Sequence, residues 1–358
     1  MIISRTPFRV SFFGGGTDYP VWYREHGGAT LAAAVDKYCY ITCRYLPPFF
    51  AHRSRILYSK VEMVQRNGDI EHPSVRACLD EMKVEEGVEI HHDGDLPART
   101  GLGSSSSFTV GLLHALYALK GVMPTAMRLA QQAIHVEQDL LREHVGCQDQ
   151  VTAAFGGLNR LQFCQNDEIR VTPVIVSQPR VDELQAHLML FFTGFARTAS
   201  DIAKEQIERT KEKHAELTTL GQMVDEGIAI LTGRESLVRF GTLLHEGWEL
   251  KRSLSSRITT PTIDAMYGAA RRAGALGGKL LGAGGGGFML VFAKPEDHRR
   301  IRAALPGCLN VPFRLDYQGS QIIVYQPDER PIVMEPEDHA ADHDDVASYA
   351  AALSQAGR

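Results

Sequence analysis

Two hydrophobic rhythms alternate along the chain. Runs dense in aromatic and β-branched residues, 8–13 (FRVSFF) and 35–46 (VDKYCYITCRYL), predict strands. Residues 54–65 predict a turn with two short strands, and 87–92 a further strand. The apolar spacing then turns helical. Phe108, Leu112, Leu113, Leu116 and Leu119 predict a helix over 104–120, and a second helix follows over about 125–143. Strands are expected near 157–163 and 168–176. A proline and sparse apolar content at 177–186 predict a break. Beyond it, 187–193 (HLMLFFT) reads as a strand, and 199–232, 234–252 and 261–273 read as long amphipathic helices. Strands at 278–281, 287–293 and 310–315 and a helix at 295–304 complete the pattern. This order predicts an α+β protein of two domains, 1–180 and 181–325, not a regular βαβ array.

Composition narrows the class. Of 358 residues, 44% are hydrophobic, enough for a full core and too many for general disorder. Lys and Arg number 38 against 43 Asp and Glu, so no basic excess points to nucleic acid as a partner. The negative charge is concentrated in 326–358, where eight acids face only Arg330 and Arg358. That segment reads as an acidic tail. His339 and His343 in it stand one helical turn apart and would suit a metal, but a solvated tail is the preferred reading. The six cysteines are scattered with no CxxC pair, so reduced thiols and a cytoplasmic setting are expected. The N-terminus lacks a signal-peptide pattern, and no apolar run reaches membrane-spanning length.

Three glycine clusters carry the candidate chemistry. The first, Gly14–Gly15–Gly16–Thr17–Asp18, follows a strand. Asp18 there either accepts hydrogen bonds from a ligand's hydroxyls or caps a helix starting near Val21. The second runs from Leu96 and Pro97 through Gly101, Leu102 and Gly103 into Ser104, Ser105, Ser106 and Ser107, at the start of the 104–120 helix. Backbone N–H groups at a helix N-terminus bind phosphate, and four serines exceed what capping needs. No Walker A pattern occurs. The third cluster, Gly282–Gly287, is formally GxGxxG, but a strand follows where a dinucleotide site needs a helix, and the ribose-binding acid is missing. A glycine hairpin approaching a ligand or another loop fits better. Two acids add to these. Glu137 lies on the apolar stripe of the 125–143 helix, where a carboxylate must be paired or hold a metal. Asp149 sits in a polar knot, Gly146–Gln150, and its local sequence alone is compatible with capping.

Taken together, these residues resemble the GHMP small-molecule kinase superfamily, named for galactokinase, homoserine kinase, mevalonate kinase and phosphomevalonate kinase. All three glycine clusters match its motifs in order, over about residues 2–325. Within it the sequence looks most like the D-glycero-D-manno-heptose 7-phosphate kinases. They share the GGGTD form of the first motif, the QDQ and AAFGG stretch, Thr193–Arg197, the LHEGWELKRSLSS run at 244–256 and GALGGKLLGAGGGGF at 274–288. The resemblance implies an N-terminal ribosomal-protein-S5-like domain and a C-terminal ferredoxin-like domain. It implies ATP and Mg2+ as cofactors and phosphorylation of the anomeric hydroxyl of heptose 7-phosphate to the 1,7-bisphosphate. By position it implies nucleotide-phosphate binding by Pro97, Gly101, Leu102, Gly103, Ser104, Ser105 and Ser106. Gly284 and Gly285 fall in the third motif, which supports that loop. Ser105 and Glu137 match the magnesium site, Asp149 the catalytic carboxylate, and Arg9 a basic residue at the transferring group. Gly15, Gly16, Thr17 and Asp18 match the sugar-binding loop. Arg197 and Lys251 are candidates for the 7-phosphate from position alone, against solvated helix-face charges. The implied partners are ATP and a sugar phosphate, with no nucleic acid or membrane, and a homodimer stays open. Other readings are a GHMP 1-kinase acting on free fucose or galactose, a silent sugar sensor of the same fold, and an NAD-dependent oxidoreductase.

Overall fold

The computed structural model describes residues 1–47, 49–98, 100–194 and 199–327. The first half is built on one mixed sheet. Its strands are β1 (Ile2–Phe13), β2 (Gly28–Tyr45), β3 (Ser54–Leu57), β4 (Val61–Val64), β5 (Val88–Gly94), β6 (Leu158–Phe163) and β7 (Ile169–Pro173). The 18-residue β2 runs antiparallel to β1 and then shares its other edge between two partners. Gly28–Ala33 pair with β6, and Cys39–Tyr45 pair with β5. Strand β3 pairs parallel to β5, and every other pairing is antiparallel. The helices of this half are α1 (Pro20–His26), α2 (Pro73–Glu81), α3 (Ser104–Leu119), α4 (Ala126–His135) and α5 (Gln148–Phe155). Helix α3 buries Phe108, Leu112, Leu113 and Leu116, as its spacing predicts, and packs on β1 and β2.

Between the halves, the expected break at 177–186 is helix α6 (Gln178–His187). Its proline stands in the first turn, where a missing N–H costs nothing, and Val181 and Leu184 are buried. The second half follows as β8 (Leu188–Phe192), α7 (Ala199–Glu208), α8 (His214–Thr232), α9 (Val238–Leu254), α10 (Pro261–Arg272), β9 (Ala275–Leu280), β10 (Phe288–Ala293), α11 (His298–Ala304) and β11 (Leu309–Asn310). Its antiparallel sheet has the order β11-β8-β10-β9. That is the βαββαβ arrangement of a ferredoxin-like unit. The strand expected over 310–315 is reduced to two residues because Pro312 follows, and only Leu315 bridges back, to Val35.

The last strand, β12 (Gln321–Tyr325), returns to the first sheet and pairs with β1. The linear division at 180 therefore leaves out one strand of the first sheet. The end of β1 is also shared. Phe12 and Phe13 meet Phe240 of α9 edge-on, with ring centroids 5.6 and 5.1 Å apart. Burying three aromatic rings there fixes the two halves against each other where β1 runs into the first glycine cluster. The acidic segment beyond 327, with His339 and His343, lies outside the described residues, as does Arg197. Among the described residues no helix is long and apolar enough to cross a membrane.

Candidate active site

The three glycine clusters converge on one cavity of about 790 Å3. Its floor is set by β1. The Arg9 N–H donates to the Leu102 carbonyl at 3.0 Å, tying the second cluster to the strand. Gly101 and Gly103 have φ of +83° and +74°, which glycine adopts without strain. Gly103 is the N-cap of α3, so the first-turn N–H groups of that helix open on the cavity beside Ser104, Ser105 and Ser106. The third cluster turns between β9 and β10 and packs under this loop. The Leu281 N–H donates to the Phe288 carbonyl, and the Phe288 N–H donates to the Thr100 carbonyl. No helix follows it, so the dinucleotide reading fails on structure as well as sequence.

Arg9 and Asp149 stand at the centre. The Arg9 guanidinium donates from Nε to Asp149 Oδ1 at 2.6 Å and from Nη2 to Oδ2 at 2.8 Å. Its Nη1 donates to the Gly101 carbonyl at 2.6 Å. One buried cation thus fixes both the carboxylate and the phosphate loop. Asp149 lies in the first turn of α5 and keeps 24% of its side chain exposed, toward the cavity. Asp18 lies beside it. Its Oδ1 accepts from the Gly16 N–H at 3.0 Å and its Oδ2 from the Gln148 N–H at 3.3 Å. It does not cap α1, whose N-cap is Tyr19; it joins the first glycine loop to the start of α5. Burial first, and then the Asp149 charge, push its carboxyl above the usual range, against those N–H donors.

Glu137 forms a separate corner. The expected single helix over 125–143 gives way after α4 to a π-helical turn, Val136–Leu140, which carries Glu137. Such turns are frequent at functional sites. Glu137 is 1% exposed. Its Oε2 accepts from Ser106 Oγ at 2.9 Å and Gln150 Nε2 at 2.5 Å, while among the described residues Oε1 has no hydrogen-bond partner. Burial pushes its pKa up to about 7, against the hydrogen bonds it accepts. A lone buried carboxylate oxygen next to serine hydroxyls is a hard-oxygen donor set, which fits Mg2+.

The remaining expected residues divide. Gly15, Gly16, Asp18, Gly101, Gly103, Ser104, Ser105, Ser106 and Lys251 line the cavity. Ser105, the expected metal-linked serine, is exposed on the first turn of α3, and it is Ser106 that touches Glu137. Thr17 does not reach the cavity, because its hydroxyl donates to the Gly14 and Ala29 carbonyls. Leu102 is buried, and Pro97 offers its carbonyl to Thr100. From the third cluster, Gly282 and Ala283 face the cavity, whereas Gly284 and Gly285 pack on Ile258. Lys251 is no solvated helix-face charge. It is 7% exposed, and its Nζ donates to the Gly282 carbonyl at 2.5 Å.

The structure also brings in residues that the sequence reading passed over. Lys279, 6% exposed, lines the cavity and donates to the Phe12 carbonyl at 3.0 Å. An aromatic arm formed from distant segments also lines the cavity. His72 stacks on Phe108 at 4.9 Å, and Tyr58 meets His72 edge-on. Their separation in sequence left no local signal for this arm.

A helix N-terminus for phosphate and an arginine-held carboxylate share one cavity, and the buried Glu137 lies behind its wall, joined to it through Ser106; this set of groups fits a small-molecule kinase. The comparisons agree. Residues 72–157 match the GHMP kinases N terminal domain, and 229–310 match the GHMP kinases C terminal domain. The chain belongs to the GHMP kinases, which are ATP-dependent. A D-glycero-alpha-D-manno-heptose 7-phosphate kinase of Campylobacter jejuni is 29% identical over 85% of this chain and 93% of its own. An L-fucokinase/L-fucose-1-P guanylyltransferase of Bacteroides fragilis is 32% identical over 66% of this chain but only 26% of its own. The crystal structure of a D-glycero-D-manno-heptose 1-phosphate kinase from Bacteroides thetaiotaomicron superposes with a TM-score of 0.75. It is 24% identical, with 91% of this chain and all of that one covered.

Proposed function

We propose that the protein is a sugar kinase that transfers the γ-phosphoryl group of ATP to the anomeric hydroxyl of D-glycero-D-manno-heptose 7-phosphate, giving the 1,7-bisphosphate. The observation that carries the kinase chemistry is Asp149, held by Arg9 between the phosphate loop and Asp18. The choice of sugar is supported by the Campylobacter jejuni relative, matched over 93% of its length.

Phosphoryl transfer demands positioning and charge neutralisation more than covalent help. The first turn of α3 and its serines hold the nucleotide phosphates. The aromatic arm at Tyr58, His72 and Phe108 takes the base by stacking. Asp18 orients the sugar hydroxyls, and Asp149 accepts the proton of the attacking anomeric hydroxyl, which is more acidic than an ordinary alcohol. Arg9 aims Asp149 through two hydrogen bonds and adds positive charge near the transferring group. Glu137 and Ser105 would hold magnesium, with Ser106 orienting Glu137 through its hydrogen bond. When bound, magnesium neutralises charge on the phosphate oxygens.

Coupled ADP release with heptose 7-phosphate, heptose, fucose and galactose tests this reading. Strong selectivity for the 7-phosphate is expected. The Bacteroides fragilis relative favours a second reading, a 1-kinase for a free sugar, and turnover of fucose or galactose alone would establish it.

A further inference from the structure

Lys279 has no task in the chemistry above. We infer that it joins Lys251 in a two-ammonium seat, on the Asp18 side of the cavity, for a phosphate monoester carried by the acceptor. This rests on the sugar-kinase reading.

Both lysines come from the second half of the chain, Lys251 from α9 and Lys279 from β9, and both line the cavity. Each ammonium has three N–H donors and makes one hydrogen bond, to the Gly282 and Phe12 carbonyls respectively. Among the described residues the remaining donors have no hydrogen-bond partner. The groups that face the pair are Arg9 from β1, Asp18 from the first glycine loop and Asp149 from α5. Arg9 and Asp149 neutralise each other. Asp18 is then the one carboxylate against two lysines, and it already accepts two backbone N–H groups.

A tether between β9 and β1 needs one donor, which a neutral side chain would supply. Burying two like charges beside Arg9 is costly unless an anion arrives. Burial and Arg9 push the Lys251 pKa down to about 8, and burial, Lys251 and Arg9 hold Lys279 well below its usual value. The nucleotide has its own donors at the α3 N-terminus. Arg9 is committed to Asp149 and Gly101. Among the described residues this leaves the lysine pair as the buried positive charge open to an acceptor phosphate.

The test compares heptose 7-phosphate with free heptose in wild type and Lys279→Met. The variant should lose roughly 10- to 100-fold in kcat/KM for the phosphorylated sugar, the range for a lost charge-assisted hydrogen bond, and stay within about 3-fold for the free sugar. Equal losses on both acceptors would overturn the inference, because a structural tether or a transfer role moves both alike. Calorimetry in buffers of different ionisation enthalpy gives a second readout, independent of the variant's folding. At pH 8 the sugar phosphate, with a second pKa of about 6, is already a dianion. Wild type should then take up protons on binding it, and no uptake would overturn the inference. If wild type turns over free sugars only, the acceptor reading falls. In that case inorganic phosphate raising the Tm of wild type but not of Lys279→Met would retain the anion seat, and equal shifts would remove it.

Discussion

Replacing Asp149 by Asn changes one atom where β1, the phosphate loop and α5 meet. The wild-type carboxylate accepts two hydrogen bonds from Arg9, at 2.6 and 2.8 Å. Asn keeps one acceptor and turns an amide N–H toward the second guanidinium N–H. Arg9 is 3% exposed, so the lost bond is not fully replaced by water. A charge-assisted hydrogen bond contributes about 1.5–3 kcal/mol, and breaking a fully buried ion pair costs about 3–5 kcal/mol. Asp149 reaches the solvent-open cavity and Arg9 keeps the Gly101 carbonyl, so the lower figure applies. We expect the variant to fold with a stability loss of about 2 kcal/mol. Its kcat should fall by about 10²-fold or more, as for loss of a general base. The donors of the α3 N-terminus are untouched, so ATP affinity should change little. Coupled ADP release gives kcat, titration calorimetry with a non-hydrolysable ATP analogue gives affinity, and a thermal melt gives stability. A kcat within a few-fold of wild type would remove Asp149 as the base. Unchanged kcat with weakened nucleotide binding would make the Arg9–Asp149 pair a support for the loop alone.

Three further outcomes follow from the same geometry. A Cβ added at Gly146 would lie 1.9 Å from Asp18 Oδ2, so Gly146→Ala should raise the acceptor KM strongly and leave the ATP KM nearly unchanged; the reverse pattern in steady-state kinetics would detach Asp18 from the sugar. Ser106→Ala removes the hydrogen bond that orients Glu137, and the Mg2+ concentration for half-maximal activity should rise roughly 10- to 100-fold, the usual cost of losing a ligand's support. An unchanged magnesium dependence would place the metal elsewhere. Glu137 titrates at about 7 in the fold, above its usual value of 4.5, so the folded state holds the extra proton and stability falls as pH rises through that window. Glu137→Gln should therefore be the more stable protein at pH 8 with EDTA, by a few kcal/mol at most given about 1.4 kcal/mol per pKa unit, and inactive. A lower melting temperature than wild type under those conditions would contradict the burial argument.

How far the sequence could be read depended on the range of each signal. Helix α3 and strands β3, β4 and β8 were legible because their apolar spacing is local. In sequence the α6 proline has the signature of a breaker, but its place in the first turn of the helix makes it harmless. Helix α5 is eight residues long and opens on Gln148, Asp149 and Gln150, so its periodicity is too short to register. Strand β12 pairs with β1 across the whole chain, and nothing within 321–325 names that partner. The site divides the same way. Glycine clusters announce themselves, since few other residues give such backbone freedom. The meeting of Arg9 with Asp149, 140 positions away, came only through the family resemblance. Lys279 stands inside the GALGGKLLGAGGGGF segment, yet nothing local marks it. Its significance is not in its neighbours in sequence but in its burial next to Lys251 and Arg9, a cost of burying like charges that only the assembled cavity makes visible. An unexplained electrostatic cost inside a binding site points to a ligand of opposite charge. The lysine pair on the Asp18 side of the cavity, costly to charge until an anion arrives, thus points to an anionic acceptor.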